Sequence, residues 1–230
     1  MPLVNVIIPA YNEEKSIEKV IRDIPKEWVQ DIIVVDNNSD DQTFAAAKRA
    51  GVTVLQEPQQ GYGKACFTGI AYALAKNTGQ KPEIIVFLDG DYSDYPQEMP
   101  LLLKPILENK ADLVIGSRAL GKREKGAMLP QQLFGNWLAT TLLRLLYGAR
   151  FTDLGPFRAI KTNKLIQLQM QDQTYGWTVE MQLKAAKLGL RSVEVPVSYR
   201  KRIGFSKISG TVKGTLLAGY KIILTIFRYL

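Results

Sequence analysis

Short apolar runs alternate with helix-like amphipathic stretches along the first half of this 230-residue chain. Val4-Asn5-Val6-Ile7-Ile8 predicts a strand ending at Pro9. Asn12 stands as a helix N-cap, followed by Ile17, Val20, Ile21 and Ile24 at helical spacing. Ile32-Ile33-Val34-Val35 predicts a second buried strand, closed by Asp36, and an Ala-rich helix over 41–50 follows the polar loop Asn37–Asp40. Val52–Leu55 is a third strand, and Gly61-Tyr62-Gly63-Lys64 opens a helix to about Lys76. A fourth strand, Ile84–Leu88, a helix over 97–109 and a strand Leu113–Ile115 complete the pattern. Strand–helix alternation of this kind predicts an α/β fold, a mostly parallel sheet covered by helices on both faces.

In such sheets ligands sit at the carboxyl ends of the strands. Here those ends carry Pro9-Ala10-Tyr11, Asp36, Asp89-Gly90-Asp91 and Gly116-Ser117-Arg118, which points to a nucleotide-type site. If the fourth strand continues, Asp89 and Asp91 face the same way, and Gly90 lets a ligand approach closely. Paired hard oxygens suit Mg²⁺ or Mn²⁺ shared with phosphates. There is no G-x-G-x-x-G after the first strand and no G-x-x-x-x-G-K-[ST], so dinucleotide and P-loop folds are excluded.

The pattern changes after residue 116. A basic loop, 117–130, has the length of a lid or binding loop and contains Arg118, Lys122, Arg123 and Lys125. Leu133–Tyr147 predicts an apolar helix, and Asp153-Leu154-Gly155-Pro156 is a turn before Phe157–Ile160. A helix over Trp177–Leu188 bears Glu180, and Ser192–Val195 is a strand. Tyr199–Lys207 brings Arg200, Lys201, Arg202, Ser206 and Lys207 together as a phosphate-binding segment. Residues 211–230 predict a helix whose Lys213, Lys221 and Arg228 share an arc of about 80° opposite a broad apolar face. That helix suits either an anionic membrane surface or packing on the core or a second subunit. Its longest uncharged run is short of the ~20 residues that span a bilayer.

Charge sharpens this division. Residues 1–116 hold 11 Lys/Arg against 17 Asp/Glu, net −6, whereas 117–230 hold 19 against 5, net +14. The second half is therefore expected to meet an anionic partner. The absence of histidine removes His-based catalysis and His-containing zinc sites, and a single cysteine, Cys66, allows no internal disulfide. The opening run lacks a signal-peptide pattern, so the cytoplasmic side is expected, with peripheral membrane attachment.

Taken in order, VIIPAYNEE, VVDNNSDDQT, GYGKA, FLDGD, GSR, D-x-G-x-FR at 153–158, GW-x₂-E at 176–180 and VPVSYRKRIGFSK resemble family 2 glycosyltransferases of the GT-A fold, in the dolichyl/polyprenyl-phosphate sugar transferase branch. The resemblance implies a catalytic domain over 1–207, with a nucleotide-binding half at 1–116 and an acceptor half at 117–207, before a terminal helix over 208–230. It implies that Pro9, Tyr11 and Glu13 line the nucleotide pocket, that Asp36 contacts base or ribose, and that Gly63 and Lys64 lie beside the nucleotide. Asp89 and Asp91, flanking Gly90, become the D-x-D pair for metal and donor diphosphate. Arg118, Arg202, Ser206 and Lys207 grip phosphates, and Asp153 and Glu180 lie near the sugar. The implied reaction is inverting transfer from a UDP- or GDP-linked sugar to polyprenyl or dolichyl phosphate, assisted by Mg²⁺ or Mn²⁺.

The chain departs from the family at Ser93, where many members have Gln, and in lacking transmembrane helices after the catalytic domain. A soluble phosphorylated or hydroxyl acceptor, with the terminal helix forming a homodimer, is the alternative. Nucleic acid is not expected as a partner, because carboxylates line the site and aromatics are not interleaved with the basic clusters.

Overall fold

The computed structural model describes residues 3–77, 79–204 and 212–230. Seven strands form one sheet: β1 (Val4–Ala10), β2 (Asp31–Asp36), β3 (Thr53–Gln56), β4 (Ile84–Phe87), β5 (Leu113–Ser117), β6 (Arg158–Lys161) and β7 (Ser192–Pro196), in the order β3-β2-β1-β4-β6-β5-β7. All neighbours run parallel except β6, which lies antiparallel between β4 and β5. β6 carries no strand signal in sequence, since Arg158-Ala159-Ile160-Lys161 is short and begins with an arginine.

Alternation along the strands builds the two faces of the core. Val4, Val6 and Ile8 of β1 point to one side, where α1 (Ile17–Asp23), α2 (Thr43–Arg49) and α4 (Met99–Leu107) cover them with Val20, Ala46 and Leu102. Ile7, Ile33 and Phe87 point to the other, under α3 (Tyr62–Leu74), α6 (Thr162–Leu168) and α7 (Trp177–Lys187). Trp177 meets Phe67 and Phe87 edge-on at 4.8 and 5.9 Å between ring centroids. Side chains of this size contribute about 1.5–3 kcal/mol each when fully buried. A smaller cluster joins α7 to α5 (Pro130–Tyr147) and the terminal helix α8 (Val212–Arg228) through Leu143, Leu183 and Ile226.

Two local expectations change. α1 begins at Ile17, not after Asn12; Asn12 takes a left-handed φ of 55° and ties its loop to the loop after β2. Its backbone N–H donates to Ser39 Oγ and its side-chain oxygen accepts from the Asp40 N–H, while the Glu13 N–H donates to Thr43 Oγ1. β4 stops at Phe87, so Asp89 and Asp91 do not lie on a continuing strand; the chain turns there, and Tyr92 sits at φ 65°.

β6 carries the largest buried cation. Arg158 is fully enclosed, opposite Phe87 in register, and donates to the carbonyls of Leu154, Gly155 and Thr178. It thereby fixes the 153–156 turn and the start of α7. In the variant Arg158→Leu all three carbonyls lose this donor, each at about 1–3 kcal/mol. A thermal melt should show a drop of at least about 5 °C, at about 2–4 °C per kcal/mol for a chain this long; an unchanged Tm would refute this role.

Candidate active site

The carboxyl ends of β1, β2 and β4 open into a cavity of about 310 Å³. Pro9 and Tyr11 come from the end of β1, Glu13 from the braced loop after it, Gly61 and Tyr62 from the start of α3, and Asp89, Gly90 and Asp91 from the turn after β4. Arg202 and Tyr175 close the side contributed by the second half. A second cavity of about 300 Å³ adjoins it, sharing Tyr62, Asp89, Asp91, Tyr175 and Arg202 and continuing past Arg118 and Tyr199 toward α5 and α8.

The aspartate turn sets the electrostatics. Burial, and then the charge of Asp91, pushes the Asp89 carboxyl up to about 7, although Tyr62 Oη donates to it at 3.1 Å. Asp91 is held by the Ser93 backbone N–H at 2.9 Å and the Ser93 hydroxyl at 2.5 Å, so Ser93 serves here as the brace of Asp91. Arg202 reaches across from the other half, donating to Glu13 Oε1 at 2.7 Å and standing 3.3 Å from Asp91 Oδ2. Its neighbours clamp the same turn: the Ile203 N–H donates to the Asp91 carbonyl, and Arg200 stacks on Tyr92 and Tyr95 with centroid distances of 3.4 and 4.1 Å.

Arg118, after β5, forms a two-pronged pair with Asp153, Nε to Oδ2 at 2.8 Å and Nη2 to Oδ1 at 2.6 Å. Burial opposes its charge, but Asp153 outweighs burial and raises the pKa of the guanidinium. Asp153 is itself positioned by Glu194, which accepts from the backbone N–H groups of Thr152 and Asp153, and by Gln182, which donates to its carbonyl.

The structure thus gathers Pro9, Tyr11, Glu13, Asp89, Gly90, Asp91 and Arg202 around the first cavity and brings Arg118 to the second. Other expected residues stand elsewhere. Asp36 is buried at the end of β2 with Oδ1 unpartnered, and its neighbour Asn37 is the residue that lines the cavity. Gly63 serves packing: a Cβ there would collide with the Asp172 carbonyl. Lys64 points its ammonium at Gln59 on the surface. Glu180 is enclosed on α7, accepting from the N–H groups of Gln171 and Asp172, from Tyr229 Oη at 2.7 Å and from Lys184 at 2.8 Å. Its carboxylate therefore holds a loop together rather than facing either cavity. Ser206 and Lys207 lie outside the described residues.

Sequence reasoning overlooked Asn37, Tyr62, Tyr175 and Tyr199, whose signal was only their nearness to motif glycines and arginines. It also passed over Asp94. That side chain is 2% exposed, and both carboxylate oxygens are buried without a hydrogen-bond partner. Burial, then Asp89 and Asp91, raises its pKa well above the usual carboxylate range.

The donor set at the turn fits a hard divalent cation. Two carboxylates share one cavity floor, and Asp89 is held back from ionising by desolvation and like charge, which a cation would relieve. Among the described residues no group of three or more such side chains forms a cage. Asp89 and Asp91 would supply two ligand groups, with phosphate oxygens and water completing the shell.

Comparison with known proteins agrees with this architecture. The family model for glycosyl transferase family 2 matches residues 5–169, and the chain belongs to that family. A glycosyltransferase of Mycobacterium tuberculosis is 35% identical over 217 residues, covering 94% of both chains. The undecaprenyl-phosphate mannosyltransferase of Micrococcus luteus is 32% identical over 222 residues, 90% of this chain and 88% of that one. In fold, the chain resembles M. tuberculosis glucosyl-3-phosphoglycerate synthase, crystallised with Mn²⁺, UDP and phosphoglyceric acid. The TM-score is 0.77 at 22% identity, covering 99% of this chain and 78% of the other.

Asp94 yields a pH prediction. Its folded-state pKa lies above the ordinary carboxylate value, so ionisation takes nothing from stability below about pH 4 and destabilises the fold increasingly as pH rises toward the folded-state pKa. Asp94→Asn should raise Tm by at least about 2 °C at pH 7, measured without metal, and leave it nearly unchanged at pH 4. The same Tm difference at both pH values would contradict the assignment.

Proposed function

We propose that this enzyme transfers a sugar, with inversion, from a UDP- or GDP-linked donor in the first cavity to polyprenyl or dolichyl phosphate reaching the second. In this scheme residues 1–116 hold the donor, 117–207 the acceptor, and 208–230 meet an anionic membrane on its cytoplasmic face.

One observation carries the choice of a phosphate acceptor. The second cavity is flanked by Arg118 and Arg202, and Asp89 and Asp91 are its only carboxylates among the described residues. A hydroxyl acceptor needs a base. Asp153 and Glu180 are both engaged, in the Arg118 pair and with backbone N–H groups. A phosphate monoester is already anionic at neutral pH and needs none. The undecaprenyl-phosphate mannosyltransferase relative supports a lipid phosphate. The phosphoglyceric acid in the fold neighbour keeps a soluble phosphate as the competing acceptor.

An acceptor phosphate oxygen attacks the anomeric carbon opposite the donor diphosphate. The new C–O bond forms as the old one breaks, and the electron pair leaves with the nucleoside diphosphate. Asp89 and Asp91 would hold Mg²⁺ or Mn²⁺, which would supply charge neutralisation at the leaving nucleoside diphosphate. Arg202, which lines both cavities, sits where donor diphosphate and acceptor phosphate meet. Arg118 is held rigid by Asp153 and orients the acceptor, so positioning and preorganised charge provide most of the rate.

A panel of UDP- and GDP-sugars with Mn²⁺ or Mg²⁺ should raise Tm for one donor, and Asp91→Ala should abolish that shift and lower kcat/KM at least 100-fold. Transfer to phosphoglycerate but not to polyprenyl phosphate in vesicles would overturn the lipid acceptor. The Asp89 pKa of about 7 adds a pH signature. Metal requires the ionised carboxylate, so Mn²⁺ affinity should fall up to about tenfold per pH unit below 7 and level off above about 8. Asp89→Asn should flatten that profile, and a flat profile in the wild type would exclude Asp89 as a ligand.

A further inference from the structure

Among the described residues the two cavities meet at five side chains: Tyr62, Asp89, Asp91, Tyr175 and Arg202. In the proposed transfer the sugar has to lie there, because its anomeric carbon passes from a donor in the first cavity to an acceptor in the second. Four of the five already have tasks. Asp89 and Asp91 form the cation turn, Tyr62 Oη donates to Asp89, and Arg202 joins Glu13 to Asp91. The fifth, Tyr175, is 36% exposed.

The acidic residues that resemblance puts near the sugar do not fill this place. Asp153 is committed to Arg118, and Glu180 is enclosed by backbone N–H groups, Tyr229 and Lys184. Tyr175, by contrast, rides on a segment fitted closely on both sides. Asp172 accepts from the N–H groups of Thr174 and Gly176, which flank Tyr175, at 2.8 and 3.1 Å. Toward α8, a Cβ on Gly176 would stand 2.5 Å from both Asp172 Oδ2 and Thr225 Oγ1, so the backbone is wedged against that helix. Toward α3, the Lys64 N–H donates to the Gln173 carbonyl at 3.0 Å, and a Cβ on Gly61 would collide with the same carbonyl. A ring mounted in this way has little backbone freedom to lose when a ligand arrives.

We propose that Tyr175 is a specificity-determining side chain for the transferred sugar, its ring covering the C–H face of the hexose and its phenol bonding one sugar hydroxyl. The proposal rests on transfer from a nucleotide-linked donor and holds for a lipid or a soluble acceptor phosphate. A hexose presents an apolar face of C–H groups and a polar edge of hydroxyls. Tyrosine offers the complement, an apolar face ending in one group that both donates and accepts. The charged residues at the junction answer the diphosphate and its cation, which leaves recognition of the neutral ring to the aromatic side chain.

The test compares the full chain with Tyr175→Ala and Tyr175→Phe, using the nucleotide sugar that stabilises the wild type. Bare UDP or GDP with Mn²⁺ should bind all three alike, whereas kcat/KM for the nucleotide sugar should fall at least about tenfold in Tyr175→Ala. Tyr175→Phe keeps the ring and should keep Tm. Against monodeoxy analogues of the donor sugar, one position should cost the wild type turnover and cost Tyr175→Phe nothing further, the non-additivity of two groups in contact. An unchanged kcat/KM in Tyr175→Ala, a parallel loss of bare-nucleotide affinity in both variants, or losses that add at every deoxy position would each overturn the role. A wild type that transfers from no nucleotide sugar removes the transfer reading and this role with it. Transfer that Tyr175→Ala leaves intact removes this role alone.

Discussion

Three acidic side chains at the end of one buried strand are the constraint on which this molecule depends. Asp89, Asp91 and Asp94 follow β4 within seven residues, and burial together with the neighbouring carboxylates works against the ionisation of Asp89 and Asp94. The +14 half of the chain folds over them. Arg202 bridges Asp91 and Glu13, Arg200 stacks on the tyrosines of the same turn, and Arg118 lies close enough to lower the Asp89 pKa. The compensation is partial: Asp89 stays near 7 and Asp94 remains without a partner. A protein that only needed stability would replace such a cluster with apolar residues. Retaining it suits a site that receives a cation with its substrate.

The same compensation shows what charge patterning can and cannot convey. The split between −6 and +14 reads as an anionic partner for the second half, yet part of that positive charge meets the protein's own acidic half. Sign asymmetry does not separate an internal partner from an external one; only the fold does. Arg118 is the clearest example. Its partner Asp153 is 35 residues away, and that aspartate is held by Glu194, 41 residues further on. Motif resemblance puts Asp153 near the sugar, whereas in three dimensions it tensions an arginine.

The alternating strands and helices were legible because period-2 and period-3.6 patterns survive in sequence, and the aspartate pair was legible because a buried apolar run ends on it. β6 was hidden by its shortness and by Arg158, a charge that becomes tolerable inside only when three carbonyls converge on it. Glu180 was misplaced for a related reason. A buried carboxylate that satisfies backbone N–H groups looks in sequence like one that faces a substrate, and the difference lies in a loop nine residues upstream. Asn12 is a good N-cap by type, but cross-bonds to the loop after β2 won over the helix start.

The terminal helix takes this point furthest. Its periodicity separates a cationic arc from an apolar face but says nothing about which faces the protein. Packing and two buried carboxylates decide it: Ile226 enters the core, Asp172 takes Lys221 and Glu180 takes Tyr229 Oη, while Leu216, Tyr220, Leu224 and Phe227 stay exposed. Those carboxylates also organise residues 171–176, since Asp172 accepts from the N–H groups of Thr174 and Gly176 and Glu180 from those of Gln171 and Asp172. From that segment the Gln173 carbonyl accepts the Lys64 N–H at the start of α3, and Tyr175 lines both cavities. The outward posture of α8 and the shape of the donor cavity therefore share one scaffold.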